Sequence, residues 1–323
     1  MSARSRVVLL VAAVAAAAVA LVVLAVVSSS GDSPATTIAE PELREGRPPL
    51  SFALGFRTDP EARDLARAAA LYQRGNPTAA AALFARHDSI EAKVGSALAS
   101  WPEGSLDRLE QLAKLYPELA VTQLHLGLAR LWANEGDPVS AWRAALDAEP
   151  DTPYAIIAGN LLHPQLPRGL PVFIPSFAVS PEISRLPPAE QLGALRRAAE
   201  RGGVRERLLY GVGLQRIGRP ASAGRVFALA ARRAPSNVDA QVADAVGRFD
   251  KDAPERAFGR LGPLTRTFPN EPTVRFHLGV LLLWTGRVEA AQRQFRLAAH
   301  LRPGSPLARE AVRYLETIKR ARS

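Results

Sequence analysis

The chain has 323 residues, of which 47% are hydrophobic and 22% are charged, enough apolar sequence for one or two packed domains. It contains no cysteine, which excludes disulfide scaffolds, thiolate zinc sites and thiol nucleophiles. The net charge of +10 comes from residues 190–323, which have 25 basic and 12 acidic side chains, whereas residues 1–189 have 16 and 19. This asymmetry predicts an anionic surface or partner for the C-terminal part alone. Only four of the 41 basic residues are Lys, which indicates a coding bias towards Arg, so nucleic acid is not an expected partner.

The chain begins with a segment of the length that spans a membrane. Arg4 and Arg6 precede the uninterrupted apolar run 7–27. A helix of this run, at about 1.5 Å per residue, is about 31 Å long and matches the ~30 Å hydrocarbon core. Because a cleaved signal peptide has a shorter apolar run, we predict an uncleaved signal anchor. The positive-inside rule keeps residues 1–6 in the cytoplasm as a short tip and places everything after residue 27 outside the cytoplasmic membrane.

Residues 28–56 are predicted to form a flexible tether. Ser, Pro and Glu predominate up to Pro49, and such sequences form no packed core. The last part, residues 50–56, is apolar enough to pack on the domain that follows.

A period of 34 residues organises the C-terminal part. Five columns of similar residues recur in three consecutive units, with the members Pro235, Pro269 and Pro303; Ala223, Ala257 and Ala291; Phe227, Leu261 and Phe295; Ala230, Leu264 and Ala298; and Gly211, Ala245 and Gly279. A unit of this length indicates two antiparallel helices, which cross most closely where the side chains are smallest. Gly218 and Gly286 permit the turn between the helices, and each Pro ends the second helix.

The pattern resembles the tetratricopeptide repeat family. The units that start at residues 204 and 272 match best, whereas Asp244 and Arg248 stand at apolar positions of the unit that starts at 238. The resemblance implies an all-α, right-handed solenoid of helix pairs, which follows the N-terminal transmembrane helix in the chain. It extends upstream, where a unit from Ala120 to Pro153 has two extra residues in its turn. We therefore predict an N-terminal array (57–153), a Pro-rich insertion (154–186) and a C-terminal array with a capping helix (187–323).

The insertion has two interpretations. Seven prolines lie between residues 163 and 188 and forbid helix, yet residues 170–177 are mostly apolar. One interpretation is a covering loop that seals the junction of the arrays. The other is a segment that lies in the groove of an array as a built-in ligand or gate.

Two similar eight-residue segments mark the candidate binding site. Residues 125–132 and 277–284 both begin His-Leu-Gly and end in Trp, so His and Trp lie two helical turns apart on one face. The resemblance places these residues on the first helix of each pair, which lines an apolar concave groove. The predicted partner-binding residues are His125, Leu128, Trp132, Phe249, Phe276, His277, Val280, Leu283 and Trp284. The alternative is that these side chains pack between neighbouring helices.

A second candidate surface is basic. Arg residues cluster between 205 and 248, and a face for phosphates, acidic polymers or lipid headgroups is predicted at Arg205, Arg216, Arg232 and Arg233. The alternative is an ordinary solvated outer face of a helix.

Signatures of catalysis are absent from the sequence. No Walker A sequence and no GxSxG motif occur, and no metal-ligand spacing relates His87, His125, His163, His277 and His300. We therefore expect no enzymatic activity, no cofactor and no metal site. The rival hypothesis is an enzyme that acts on glycans and uses the solenoid as a platform for its substrate.

The expected function is that of a membrane-anchored extracytoplasmic scaffold, which binds a protein or peptide through the groove in envelope, secretion or complex assembly. The alternatives are an anionic-polymer-binding envelope protein that uses the Arg cluster, or an accessory factor of cytochrome maturation.

Overall fold

The computed structural model describes residues 46–322. This part of the chain forms sixteen α-helices and no strand, which confirms the all-α prediction for it. The predicted signal anchor, residues 7–27, lies outside the described residues, as do the tip and most of the tether. Within residues 46–322, no helix is both long enough and apolar enough to cross a membrane.

The chain divides into two compact units, with the boundary between Leu162 and His163. The described part of the first unit begins with an extended segment, residues 46–56, and continues with seven helices. These helices are α1 (Pro60–Gln73), α2 (Pro77–Phe84), α3 (Ile90–Ala99), α4 (Ser105–Leu115), α5 (Ala120–Ala133), α6 (Pro138–Ala148) and α7 (Pro153–Leu162).

The second unit repeats this plan. A segment without helix, residues 167–178, precedes nine helices; its backbone bends at 168–169 and at 176–177 and has no turn or bend from 170 to 175. The first two are α8 (Pro181–Ser184) and α9 (Pro188–Arg201). Seven more follow, as in the first unit: α10 (Val204–Arg216), α11 (Pro220–Arg233), α12 (Val238–Gly247), α13 (Glu255–Thr267), α14 (Pro272–Trp284), α15 (Val288–Leu301) and α16 (Pro306–Arg322).

Each unit has two layers of helices. In the first unit α1, α3, α5 and α7 pack side by side, and in the second unit α10, α12, α14 and α16 do the same. We call these the A helices. The intervening helices, α2, α4 and α6 or α11, α13 and α15, each pack against the two A helices beside them in the chain. We call these the B helices.

Proline marks both ends of the helices. Nine helices have Pro in their first turn, where the missing N–H has no intrahelical partner to lose. The recurring prolines of the 34-residue period lie just beyond the second helix of each pair: Pro235 after α11, Pro269 after α13 and Pro303 after α15. The prediction that these prolines end the second helices is therefore confirmed.

The small-residue columns also have the predicted role. A Cβ atom placed on Gly279 would lie 2.7 Å from the Phe295 ring, so α14 and α15 approach this closely only because the residue is Gly. Gly218 and Gly286 have φ of +73° and +74° in the turns that join the paired helices. Glycine adopts these angles without strain.

The structure corrects two details of the repeat. The first helix of the unit at 238 forms as α12, because Arg248 contacts the otherwise buried carboxylate of Asp244 at 3.0 Å across one helical turn. Pro153 does not end a unit but begins α7, and Pro150 follows α6 instead. The apolar run 154–162 thus continues as helix, and the non-helical part of the predicted insertion 154–186 begins at His163.

Candidate peptide grooves

The A helices of the first unit hold the extended segment 46–56. Two carbonyl groups of the segment accept bonds from α1, Pro48 from the Tyr72 hydroxyl at 2.8 Å and Leu50 from Gln73 at 3.4 Å. Two N–H groups donate: Ser51 to His125 Nε2 of α5 at 3.2 Å, and Ala53 to the Tyr154 hydroxyl of α7 at 3.0 Å. The segment therefore crosses the A-helix surface, which we call the first groove.

Apolar side chains fix the same segment. Leu50 is buried in the core of the unit. The Phe52 ring stands edge-on to Phe84 with centroids 5.9 Å apart, and lies 6.1 Å from the His125 ring. Phe52 itself remains partly exposed. The segment is thus bound as an extended peptide is bound, through backbone bonds and alternate side chains.

The A helices of the second unit hold the extended segment 167–178. Phe173 N donates to Gln215 of α10 at 3.2 Å, and Ile174 N donates to His277 Nε2 of α14 at 3.0 Å. Further contacts bind the two ends of the segment. Pro167 O accepts from Lys251 at 2.9 Å, Ser176 donates to Asp239 of α12 at 3.2 Å, and Ala178 O accepts from Arg205 of α10 at 3.0 Å. This surface is the second groove.

Phe173 is the apolar anchor of the second segment. Its side chain is 1% exposed, its ring stacks on His277 with centroids 5.0 Å apart and an interplanar angle of 21°, and Phe227 meets it edge-on at 5.6 Å. The next residue towards the N-terminus, Val172, is 39% exposed. The segment packs on the A helices of its own unit, and which of the two interpretations of the insertion holds, covering loop or built-in ligand, stays a prediction.

The two histidines occupy equivalent places and have the same hydrogen bonds. His125 and His277 lie on the third A helix of their units, and in each the Nδ1 atom is 2.7 Å from the carbonyl four residues earlier, that of Val121 or Thr273. A carbonyl only accepts, so Nδ1 bears the proton. The backbone N–H of the segment only donates, so Nε2 is unprotonated. Each ring is therefore neutral and presents one acceptor to the segment.

Burial keeps these rings neutral. It lowers the pKa of His125 and of His277 to about 4, since a charged imidazolium loses its hydration inside the unit. Burial also lowers the pKa of Lys251 to about 8 and raises that of Asp239. In the first groove, burial raises the pKa of the donor Tyr72 to about 12.

Eight of the nine predicted partner-binding residues lie on A helices and Phe249 lies just after α12, but together they do not form an open surface. Eight of the nine are buried, and Trp132 is partly buried. Phe249, Phe276, Val280, Leu283 and Trp284 belong to the core of the second unit, and Leu128 to that of the first. The expectation of an exposed apolar groove is therefore wrong for this state of the chain. Their role in binding a partner stays a prediction.

The predicted basic residues lie on two neighbouring helices, Arg205 and Arg216 on α10 and Arg232 and Arg233 on α11. Arg205, Arg216, Arg232 and Arg233 are all exposed. Arg205 lies 5.1 Å from the centre of the Phe177 ring and binds the extended segment, so it belongs to the second groove. Arg232 and Arg233 lie in the last turn of the B helix α11.

Several residues of the grooves were not predicted. They are polar side chains on or next to the A helices: Tyr72, Gln73, Tyr154, Gln215, Asp239 and Lys251. In the sequence they look like ordinary polar or interfacial positions of amphipathic helices, and no local spacing sets them apart. Within residues 46–322, no group of three or more His, Asp or Glu side chains is placed to hold a metal ion.

The layered helix pairs form an all-α helical-repeat fold that is similar to tetratricopeptide repeats. No protein-family model matches the chain. No curated protein matches it in sequence. Among solved structures, it is similar to the crystal structure of yeast Tom70, at 15% identity and a TM-score of 0.31, over 92% of this chain and 69% of that chain.

Proposed function

We propose that this chain is a protein-interaction scaffold whose A-helix grooves bind extended apolar peptides. One observation carries the proposal: both grooves already hold an extended segment, and each does so with a backbone N–H donated to a buried histidine. Backbone bonds of this kind give affinity without reading a particular side chain, and the adjoining apolar pockets add preference. The partner is accordingly an extended protein segment.

The scaffold is placed at the membrane by the N-terminal part of the chain. In this proposal residues 7–27 are an uncleaved anchor and the helical units lie outside the cytoplasm, next to envelope, secretion or assembly proteins. The support is the length of the apolar run and the position of Arg4 and Arg6 before it. A reporter that is active only outside the cytoplasm, fused after Ser323, is expected to be active. Activity of a cytoplasmic reporter at the same position would remove this part of the proposal.

The binding function is tested with the full chain in detergent and an array of extended peptides. Peptides that contain Phe are expected to bind, and substitution of Phe by Ser in the same peptides is expected to abolish binding. The chain is first opened by Phe173→Ser and Ile174→Pro, so that the second groove does not hold its own segment. In this opened chain His277→Phe, which removes the acceptor, is expected to weaken capture, whereas His300→Phe on the exposed side of α15 is the matched control. Equal capture by these two variants would exclude the second groove as the binding site.

A second candidate function rests on the charge of the B helices. Those of the second unit have eight basic and two acidic residues, all of the basic ones exposed, whereas those of the first unit have three of each sign. An anionic polymer would bind to this side of the second unit. Arg232→Gln with Arg233→Gln is then expected to weaken retention on an acidic polysaccharide column and to leave peptide capture unchanged. Retention equal to that of the unmodified chain would exclude this surface.

A further inference from the structure

The second groove is occupied by a segment that is bound as a separate ligand would be. Its backbone groups at Pro167, Phe173, Ile174 and Ala178 bond to side chains of the A helices and of the turn after α12. Exposed and buried residues alternate from Pro171 to Phe173, the pattern of a peptide with one face in a groove.

The flanks of the segment allow it to leave without unwinding a long helix. Before it lie the exposed Pro164 and Gln165, and within it Gly169 has φ of +77°. After it, the chain reaches only the four-residue helix α8 before Pro187 and Pro188 interrupt it again. The seven-helix array itself begins at Val204 and does not include the segment.

The first groove shows what else such a groove accepts. Its occupant has a different sequence and runs from α1 to α7, whereas the contacts of segment 167–178 end back at α10. The two occupants share two features. Each donates one N–H to the histidine, and each places a Phe next to the donating residue, Phe52 after Ser51 and Phe173 before Ile174. The common ligand chemistry is a Phe beside a free backbone N–H in an extended chain.

We propose that segment 167–178 is a displaceable internal ligand that closes the second groove against protein partners, and that the partner replacing it is an extended apolar peptide with Phe beside a free N–H. This inference rests on the proposed function, since it specifies what regulates the same groove. A tethered ligand acts at an effective concentration of about 1 mM. If the segment itself binds the groove with an intrinsic Kd of about 10 µM, it weakens the apparent binding of a competing peptide about 100-fold.

The test uses the full chain and a labelled synthetic peptide with the sequence of residues 167–178. The chain with Phe173→Ser and Ile174→Pro lacks the ring and the N–H of its own segment, so it is expected to bind the peptide about 100-fold more tightly than the unmodified chain. Val172→Ser, at an exposed position of the same segment, is the matched control and is expected to bind like the unmodified chain. The peptide with Ile174→Pro is expected to bind neither.

The outcomes separate the two proposals. Equal affinity of the opened and unmodified chains overturns the internal-ligand proposal alone, whereas absence of binding to every chain overturns the proposed function and this inference with it. If the opened variant does not fold, the proposal is tested instead by the exchange rate of the Ile174 amide hydrogen in the unmodified, isotope-labelled chain. Saturating unlabelled peptide is expected to accelerate that exchange at least 10-fold, and unchanged exchange overturns the proposal.

Discussion

The two units of this chain follow one plan but hold their extended segments by different means. The first groove uses only neutral groups, the side chains of Tyr72, Gln73, His125 and Tyr154. The second adds three ionisable side chains, those of Lys251, Asp239 and Arg205. The histidine contact is common to both. The comparison shows that the buried imidazole is the constant part of the groove, and that the surrounding side chains determine the path and depth of the peptide.

The largest expected difference concerns the Phe anchors. Phe173→Ala should destabilise the second unit by about 2–3 kcal/mol, because the loss cannot exceed the ~100-fold closure by its segment, and Phe52→Ala should cost the first unit roughly half as much because its ring is partly exposed. Denaturant titrations followed by ¹⁹F NMR of fluorotryptophan measure the unfolding of each unit separately, because each unit contains tryptophan of its own. Trp284 reports the second unit, and the first is reported by Trp101, Trp132 and Trp142.

Two results would contradict this prediction. Equal losses of stability in the two units would mean that the burial of the Phe ring does not determine how much it stabilises its unit. A loss reported by the Trp signals of the unaltered unit would mean that the segments do not act within their own units.

The next prediction concerns pH and should affect both units alike. The folded-state pKa of His125 and of His277 is about 4, whereas the ordinary value is 6.5. Between these values the unfolded state binds more protons, so stability is complete above about pH 6.5 and is lost as the pH falls towards 4. We expect a loss of about 2 kcal/mol per histidine between pH 7 and pH 5.

Denaturant titrations at pH 7 and pH 5 measure this loss. His125→Gln and His277→Gln should each greatly reduce the loss of stability of one unit between pH 7 and pH 5, and His300→Gln, an exposed residue, should change neither. A chain equally stable at both pH values would show that these imidazoles are not kept neutral by folding.

The shared hydrogen bond can be removed from both segments in the same way. Ser51→Pro and Ile174→Pro delete the N–H that each histidine accepts, and each should cost about 2 kcal/mol because the buried Nε2 is left unsatisfied. Ser51→Ala and Ile174→Val keep the N–H and serve as controls. The losses should match in size. A loss in one unit alone would show that the equivalent histidines do not have equivalent roles.

The smallest effect tests the charged contacts of the second segment. Arg205→Met removes the bond to Ala178 O and the cation–π contact with Phe177, together worth about 0.5–1 kcal/mol at an exposed site. Amide exchange at Ile174 should accelerate about 2- to 5-fold, while that at Ser51 stays unchanged. Arg232→Met is the control. Acceleration at both amides would mean that the charge of Arg205 is not specific to the second groove.

The helix pairs were predictable from the sequence because they arise from local, periodic requirements. Small residues such as Gly279 recur where helices cross, and prolines such as Pro303 recur where second helices end. The period also placed His125 and His277 on A helices. The period also holds at α12, although Asp244 stands there at a position that is usually apolar. Its carboxylate is paired with Arg248 one helical turn later.

The occupied grooves were not predictable in the same way. The contacts that define them join residues 74 and 103 positions apart, Ser51 with His125 and Ile174 with His277. Such contacts leave no periodic trace in either partner. The composition of residues 170–177 indicated burial, but nothing local identified Gln215 as the acceptor for Phe173 N.

Because the segments cover the Nε2 atoms of His125 and His277, the rate of chemical modification at each histidine measures how fast its segment leaves the groove. Reagents that acylate unprotonated imidazole nitrogen react with exposed histidines within minutes, and His300 on α15 is exposed. At His125 and His277 the same nitrogen is occupied by the N–H of the covering segment, and the ring is 0% exposed. Acylation there proceeds only as fast as the segment departs, so mass spectrometry of the two modified peptides would time the two departures separately in one unlabelled sample.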